Sequence, residues 1–198
     1  MKVVGLTGSI GMGKSETARM FRECGIMVFD ADAVVHDLQA KGGRAIPAIE
    51  AAFPGVIQSG VLDRQKLGAI VFAEPEAKKI LESIMHPMVA EERIRFFTEA
   101  EEVGARFVVL DVPLLFETGG NAACDIVIVV SASADVQRER VLARPGMTEE
   151  KFEQILKKQT PDADKRAGAD YIIETDKGLD HAQAAVKRIV DELTKAYS

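Results

Sequence analysis

Gly8-Ser9-Ile10-Gly11-Met12-Gly13-Lys14-Ser15 matches the pattern G-x-x-x-x-G-K-[ST]. Glycines let successive backbone N–H groups turn toward one anion, and a helix starting at the end of the loop adds its positive pole. In that arrangement Lys14 reaches the β- and γ-phosphates of a nucleoside triphosphate, and the Ser15 hydroxyl is a ligand for Mg²⁺. Asp111 closes the apolar run Phe107–Leu110 and suits the same metal shell, or a hydrogen bond to the loop backbone. Asp30 and Asp32 are two apart, so in an extended segment they face one side. One could orient an acceptor hydroxyl and take its proton while the other caps the next helix.

These groups need a scaffold, and the apolar runs supply one. Val3–Thr7, Ile26–Phe29, Phe107–Leu110, Ile126–Val130 and the weaker Tyr171–Ile173 are continuous rather than alternating, as in strands buried on both faces of a parallel sheet. Helical patterns separate them, beginning with Ser15–Cys24. The expected class is α/β, doubly wound: a P-loop NTPase fold with a five-stranded parallel sheet flanked by helices, a helical acceptor-binding insertion and a lid. In such folds ligands bind beyond the carboxyl ends of the strands, where the Gly-rich loop, Asp32 and Asp111 are all expected.

The interval between the second and third strands reads as helix rather than strand. Ala33–Ala40 stops at Gly42-Gly43, Pro75 opens Glu76–Met85, and Pro87 opens a further stretch to about Glu102. The expected division is a core over residues 1–32, 104–136 and 167–198, an acceptor subdomain over 33–103 and a lid over 137–166. The lid segment carries Arg138, Arg140, Arg144, Lys151, Lys157, Lys158, Lys165 and Arg166. Arginine forks match phosphate oxygens, so Arg140 and Arg144 are expected to be functional and most of the lysines to lie at the surface.

The bulk composition narrows the partners. A net charge of −6 over 198 residues argues against a general nucleic-acid or anionic-membrane surface. Cys24 and Cys124 form no disulfide framework, and His36, His86 and His181 have no metal-ligand spacing. No apolar run spans a membrane and the amino-terminal apolar stretch is short for a secretory signal, so a cytoplasmic protein, monomeric or weakly homo-oligomeric, is expected. A GTPase would need N-K-x-D, yet the one asparagine, Asn121, precedes alanines. A motor or transport ATPase would need further signatures such as LSGGQ. A small-molecule or nucleotide kinase needs a short core, an acceptor insertion and an arginine-bearing lid, and the sequence has candidates for all three. A non-catalytic nucleotide sensor would leave Asp32 and the arginines unused.

Several segments also resemble the dephospho-coenzyme A kinase family: Val4–Gly8 through Lys14-Ser15, Phe29-Asp30-Ala31-Asp32, Leu62-Asp63-Arg64, Val71-Phe72, His86-Pro87 and Asp111-Val112-Pro113-Leu114-Leu115-Phe116-Glu117. Arg140, Arg144, Gln159 and Ala169-Asp170 continue the resemblance, and Thr175 departs from it where the family often has asparagine. The resemblance implies Mg²⁺-dependent phosphorylation of the ribose 3′-hydroxyl of dephospho-coenzyme A by ATP. It implies that Asp32 is the acid beside the acceptor hydroxyl and that Lys14 and Arg140 act on the phosphates. Glu16 and Arg144 join the loop in nucleotide binding, and Thr7, His86, Leu114, Leu115 and Glu117 line the acceptor side. His86 read by itself is a turn or capping histidine. The runner-up is a nucleoside monophosphate kinase.

Overall fold

Each continuous apolar run is a strand of one five-stranded parallel sheet. The computed structural model describes residues 1–197. The first half runs β1 (Lys2–Thr7), α1 (Lys14–Glu23), β2 (Val28–Asp30), α2 (Ala31–Leu38), α3 (Ile46–Ala52), β3 (Ile57–Gln58), β4 (Val61–Leu62), α4 (Arg64–Ala73) and α5 (Pro75–Glu102). It continues with β5 (Phe107–Asp111), a 3-10 turn (Gly120–Ala123), β6 (Ile126–Ser131), α6 (Ala134–Leu142), α7 (Glu149–Leu156), α8 (Asp162–Ala167), β7 (Tyr171–Glu174) and α9 (Leu179–Ala196). Two compact units result: Met1–Phe29 with the chain from Ala100 onward, and Asp30–Glu99.

The first unit holds the sheet, in the order β2-β5-β1-β6-β7. Alternation along each strand sorts the side chains by face. Val4, Leu6, Ile126, Ile128, Val130 and Ile173 meet Ala18 and Phe21 of α1 and the apolar stripe of α9. That stripe (Ala182, Ala185, Val186, Ile189, Val190, Leu193) has helical spacing, which is why α9 is amphipathic and lies flat on the sheet. Val127 and Val129 point to the other face and pack on Leu115, Phe116 and Ala169. Fully burying each such aliphatic chain contributes about 1.5–3 kcal/mol, so the sheet is stabilised from both sides.

The second unit has its own core, including Leu38, Ile46, Ile49, Phe53, Val56 and Leu67. Three expectations are corrected here. The insertion is not wholly helical, because β3 and β4 pair as an antiparallel hairpin, Ile57 with Leu62 and Gln58 with Val61. Its two-residue turn places Ser59 and Gly60 at φ of 51° and 75°, the left-handed pair a tight hairpin needs. The helix expected over Ala33–Ala40 begins earlier, at Ala31, because the Asp30 carboxylate accepts a hydrogen bond from the Ala33 N–H at 3.0 Å. The expected break at Pro87 does not occur, and α5 runs through it. An interior proline costs about 3 kcal/mol. Met85, Met88 and Val89 of the same turns pack into the second core, and their burial offsets that cost.

Candidate active site

β1 leads directly into the Gly-rich loop, and its closeness to β6 explains the first glycine. A Cβ on Gly8 would lie 2.7 Å from the Val130 carbonyl oxygen, so no side chain fits. Gly13, at φ 92°, turns the chain into α1 as its N-cap. The Met12 N–H closes a turn on the Ser9 carbonyl at 3.1 Å. Among the described residues, the backbone N–H groups of Gly11, Gly13, Lys14 and Ser15 make no hydrogen bond. Four unpaired donors in one turn, beside a helix N-terminus, form an anion cradle.

Asp111 sits beside this loop because β5 pairs in parallel with β1, in register Leu6 with Asp111. Its carboxylate accepts a charge-assisted hydrogen bond from Lys14, with side chains 2% and 15% exposed respectively. No cluster of three or more His, Cys, Asp or Glu side chains that could hold a metal occurs among the described residues. One hydroxyl (Ser15) and one carboxylate (Asp111) suit a Mg²⁺ that takes its remaining ligands from phosphate oxygens and water.

Behind the loop, a cavity of about 260 Å³ is lined by Gly11, Gly13, Glu16, Arg140, Arg144 and Thr175, with an apolar floor that includes Met20 and Leu179. Arg140 lies on α6 and is pinned there: Nη1 donates to Thr175 Oγ1 at 2.9 Å and Nη2 to the Thr175 carbonyl at 2.8 Å. Its guanidinium is thus a wall of the cavity, rather than a free fork carried toward the transferring phosphates. A planar cation over an apolar floor suits a nucleobase. Losing such a contact costs about 1–2 kcal/mol, so Arg140→Met should raise the KM for ATP about tenfold with kcat changed far less. Steady-state kinetics at saturating acceptor check this, and a loss confined to kcat would contradict it.

The segment after Asp111 departs from expectation in part. Leu114 is exposed, as an acceptor contact requires, but Leu115 is only 2% exposed and packs under the sheet. Thr7 is fully buried, and its hydroxyl donates to the Pro113 carbonyl at 3.3 Å. Glu117 turns inward: its Oε1 accepts from the Thr160 N–H at 2.8 Å and pairs with Lys165 Nζ at 2.9 Å. Thr7, Leu115 and Glu117 therefore brace the loop after β5 from behind instead of lining an acceptor. Lys165 is itself wholly buried, the exception among the lysines of this segment, since Lys151, Lys157 and Lys158 are exposed as expected.

Burial alone pushes the Glu117 carboxyl up. The Lys165 ammonium and the N–H groups of Glu117 and Thr160 outweigh it and hold the group below the usual glutamate range. A carboxyl lowered in the fold contributes stability above its unfolded pKa and loses that contribution as pH falls through the folded value. Glu117→Gln should therefore lower Tm at neutral pH, where Lys165 is left without its anion, and flatten the fall of Tm at pH below the ordinary glutamate range. Melting curves across pH test this, and an unchanged acid limb would refute it.

In the Asp30–Glu99 unit, Asp30 is the cap of α2. Asp32 lies in the first helical turn rather than in an extended segment. It is exposed, and its carboxylate has no hydrogen bond or ion pair among the described residues. His86 is exposed in the middle of α5 and is neither a turn nor a cap. Sequence reasoning missed Gln137, which donates to the Ile10 carbonyl, and assigned no role to Gln159, which accepts from the Ile10 N–H. The general polarity of α6 carried no signal that could single out Gln137.

The family model for dephospho-CoA kinase matches residues 2–181. The chain belongs to the dephospho-CoA kinase family. A dephospho-CoA kinase of Bradyrhizobium diazoefficiens is 54% identical over 195 residues, covering 98% of this chain and 97% of that relative. A crystal structure from Thermus thermophilus is 33% identical, with a TM-score of 0.76 and 97% coverage of both chains. The dephospho-CoA kinase of Campylobacter jejuni shares the fold at 24% identity, with a TM-score of 0.71 over 99% of this chain and 98% of that one. Because family relatives match along nearly the whole chain, the Asp30–Glu99 unit belongs to the family pattern as much as the sheet does. No described helix is long and apolar enough to cross a membrane.

Proposed function

We propose that the protein transfers the γ-phosphoryl group of ATP to the ribose 3′-hydroxyl of dephospho-coenzyme A, forming coenzyme A and ADP. The observation that carries this reading is the cradle of unpaired N–H groups next to the Lys14–Asp111 pair, in a chain that belongs to the dephospho-CoA kinase family.

The loop N–H groups of Gly11 to Ser15 and the Lys14 ammonium take the phosphates, where charge-assisted hydrogen bonds are strongest. Ser15 and Asp111 would hold Mg²⁺, which when bound neutralises phosphate charge. The cavity bounded by Arg140, Arg144 and Glu16 takes the nucleoside. Asp32 orients the acceptor hydroxyl and receives its proton, while His86 and Leu114 shape the acceptor side. The acceptor oxygen forms a bond to the γ-phosphorus as the bond to the β-phosphate oxygen breaks. Most of the acceleration comes from alignment and charge neutralisation. The reaction belongs to the cytoplasm, where the unpaired thiols of Cys24 and Cys124 stay reduced.

The test offers purified protein Mg-ATP with dephospho-coenzyme A, AMP, shikimate or nucleosides. Dephospho-coenzyme A should be phosphorylated with the highest kcat/KM. Preference for AMP would overturn the reading in favour of a nucleoside monophosphate kinase. ATP binding without transfer to any acceptor would favour a sensor.

A further inference from the structure

Three successive carbonyls of the phosphate loop are gripped from outside by side chains. Gln137 Nε2 donates to the Ile10 carbonyl at 2.7 Å. Arg140 Nη1 lies 3.5 Å from the Gly11 carbonyl, a weak contact. Thr175 Oγ1 donates to the Met12 carbonyl at 2.7 Å while accepting from Arg140. Gln137 is only 6% exposed, and its grip is not an incidental surface contact. The Ile10 N–H is held in turn by Gln159 Oε1 at 3.1 Å. The next residue, Thr160, donates its own N–H to Glu117, whose buried partner is Lys165, so Gln159 is anchored as well.

A trans peptide points its C=O and the following N–H in opposite directions. Holding the Ile10 carbonyl toward Gln137 therefore turns the Gly11 N–H the other way. Holding the Met12 carbonyl toward Thr175 does the same for the Gly13 N–H. These are two of the loop donors that have no hydrogen-bond partner among the described residues. Glycine at 11 and 13, with φ of 79° and 92°, leaves both peptides able to flip unless something outside holds them.

We propose that Gln137 and Thr175 are positioning residues that set the direction of the Gly11 and Gly13 N–H groups, so that the loop is ordered for a triphosphate before one arrives. The proposal rests on the triphosphate-binding part of the function above and not on the identity of the acceptor. Neither side chain needs to touch the phosphates. Each acts through one loop carbonyl, and the benefit is the entropy of orienting two peptides, already met in the fold. Both must donate. Methionine at 137 and valine at 175 keep the shape and remove the donor, whereas serine at 175 keeps the hydroxyl.

The experiment measures, by calorimetry with Mg²⁺ present, the affinity of wild-type, Q137M, T175V and T175S proteins for inorganic tripolyphosphate, ATP and adenosine. Q137M and T175V should each weaken tripolyphosphate and ATP about tenfold, the equivalent of one well-made hydrogen bond. Adenosine affinity should stay within about twofold for Q137M, and T175S should restore phosphate binding to near the wild-type value. Equal losses for adenosine and tripolyphosphate, or none for tripolyphosphate, would overturn the proposal in favour of a purely structural role. A wild-type protein that binds tripolyphosphate yet phosphorylates AMP would overturn the proposed acceptor and leave the carbonyl grip standing.

Discussion

Lys14→Met should lower kcat/KM for ATP about a thousandfold, within the ~10²–10³ lost on removing one preorganised donor and the ~10³–10⁵ ascribed to a phosphate-neutralising cation. The structure adds a second consequence that a phosphate-binding lysine alone would not imply. The Lys14 ammonium pairs with Asp111, whose side chain is 2% exposed. Methionine takes the Lys14 cation away from that buried carboxylate, and breaking one side of a buried pair costs about 3–5 kcal/mol. The variant should therefore melt earlier than wild type as well as turn over slowly. The double variant Lys14→Met/Asp111→Asn also removes the buried negative charge, and should recover most of the lost Tm while remaining inactive. Thermal melts and initial rates on the four proteins of the cycle separate the two roles. If Lys14→Met melts like wild type, the pair contributes nothing to the free protein.

Asp32→Asn should lower kcat by about 10²–10⁴, the range for a positioned general base, with ATP affinity nearly intact. The neighbouring aspartate is the control. Asp30 caps α2 through the Ala33 N–H, and asparagine caps a helix about as well as aspartate, so Asp30→Asn should leave turnover within a few-fold of wild type. The exposed Asp32 carboxylate in the first turn of α2 makes no hydrogen bond or ion pair among the described residues and is free to meet an acceptor. Single-turnover rates at saturating ATP and acceptor read the chemical step directly. Equal losses at positions 30 and 32 would mean that the helix start, not the carboxylate, is what matters.

Much of the site was legible because its chemistry depends on contiguous residues. A strand, a Gly-rich loop and a helix start are local, so Gly8–Ser15 could be read without knowing the fold. The pairing of Lys14 with Asp111 was partly legible, since an acid at the end of a buried apolar run lies at the carboxyl edge of a parallel sheet. The hairpin Ile57–Leu62 was missed because its strands have two residues each, too few to show alternation. Pro87 misled because a local breaking signal was outweighed by the packing of Met85, Met88 and Val89, which propensity does not contain. The family resemblance places Glu117 on the acceptor side, but a resemblance in sequence does not say which way the side chain points. Its direction depends on Lys165, 48 positions away by numbering, and on the Thr160 N–H.

The amino-acid sequence by itself determined the class of ligand, the α/β architecture and the identity of the phosphate loop, since each rests on the order and spacing of neighbouring residues. Only the tertiary structure decided which way the side chains around that loop point. Asp111 comes to Lys14 through the register of β5 on β1, and Arg140 comes to Thr175 through the seating of α6. The carbonyls of Ile10 and Met12 are held by residues more than a hundred positions away in the chain. Such contacts join side chains whose sequence neighbours say nothing of one another, and they exist only once the sheet has closed and the helices have packed on it.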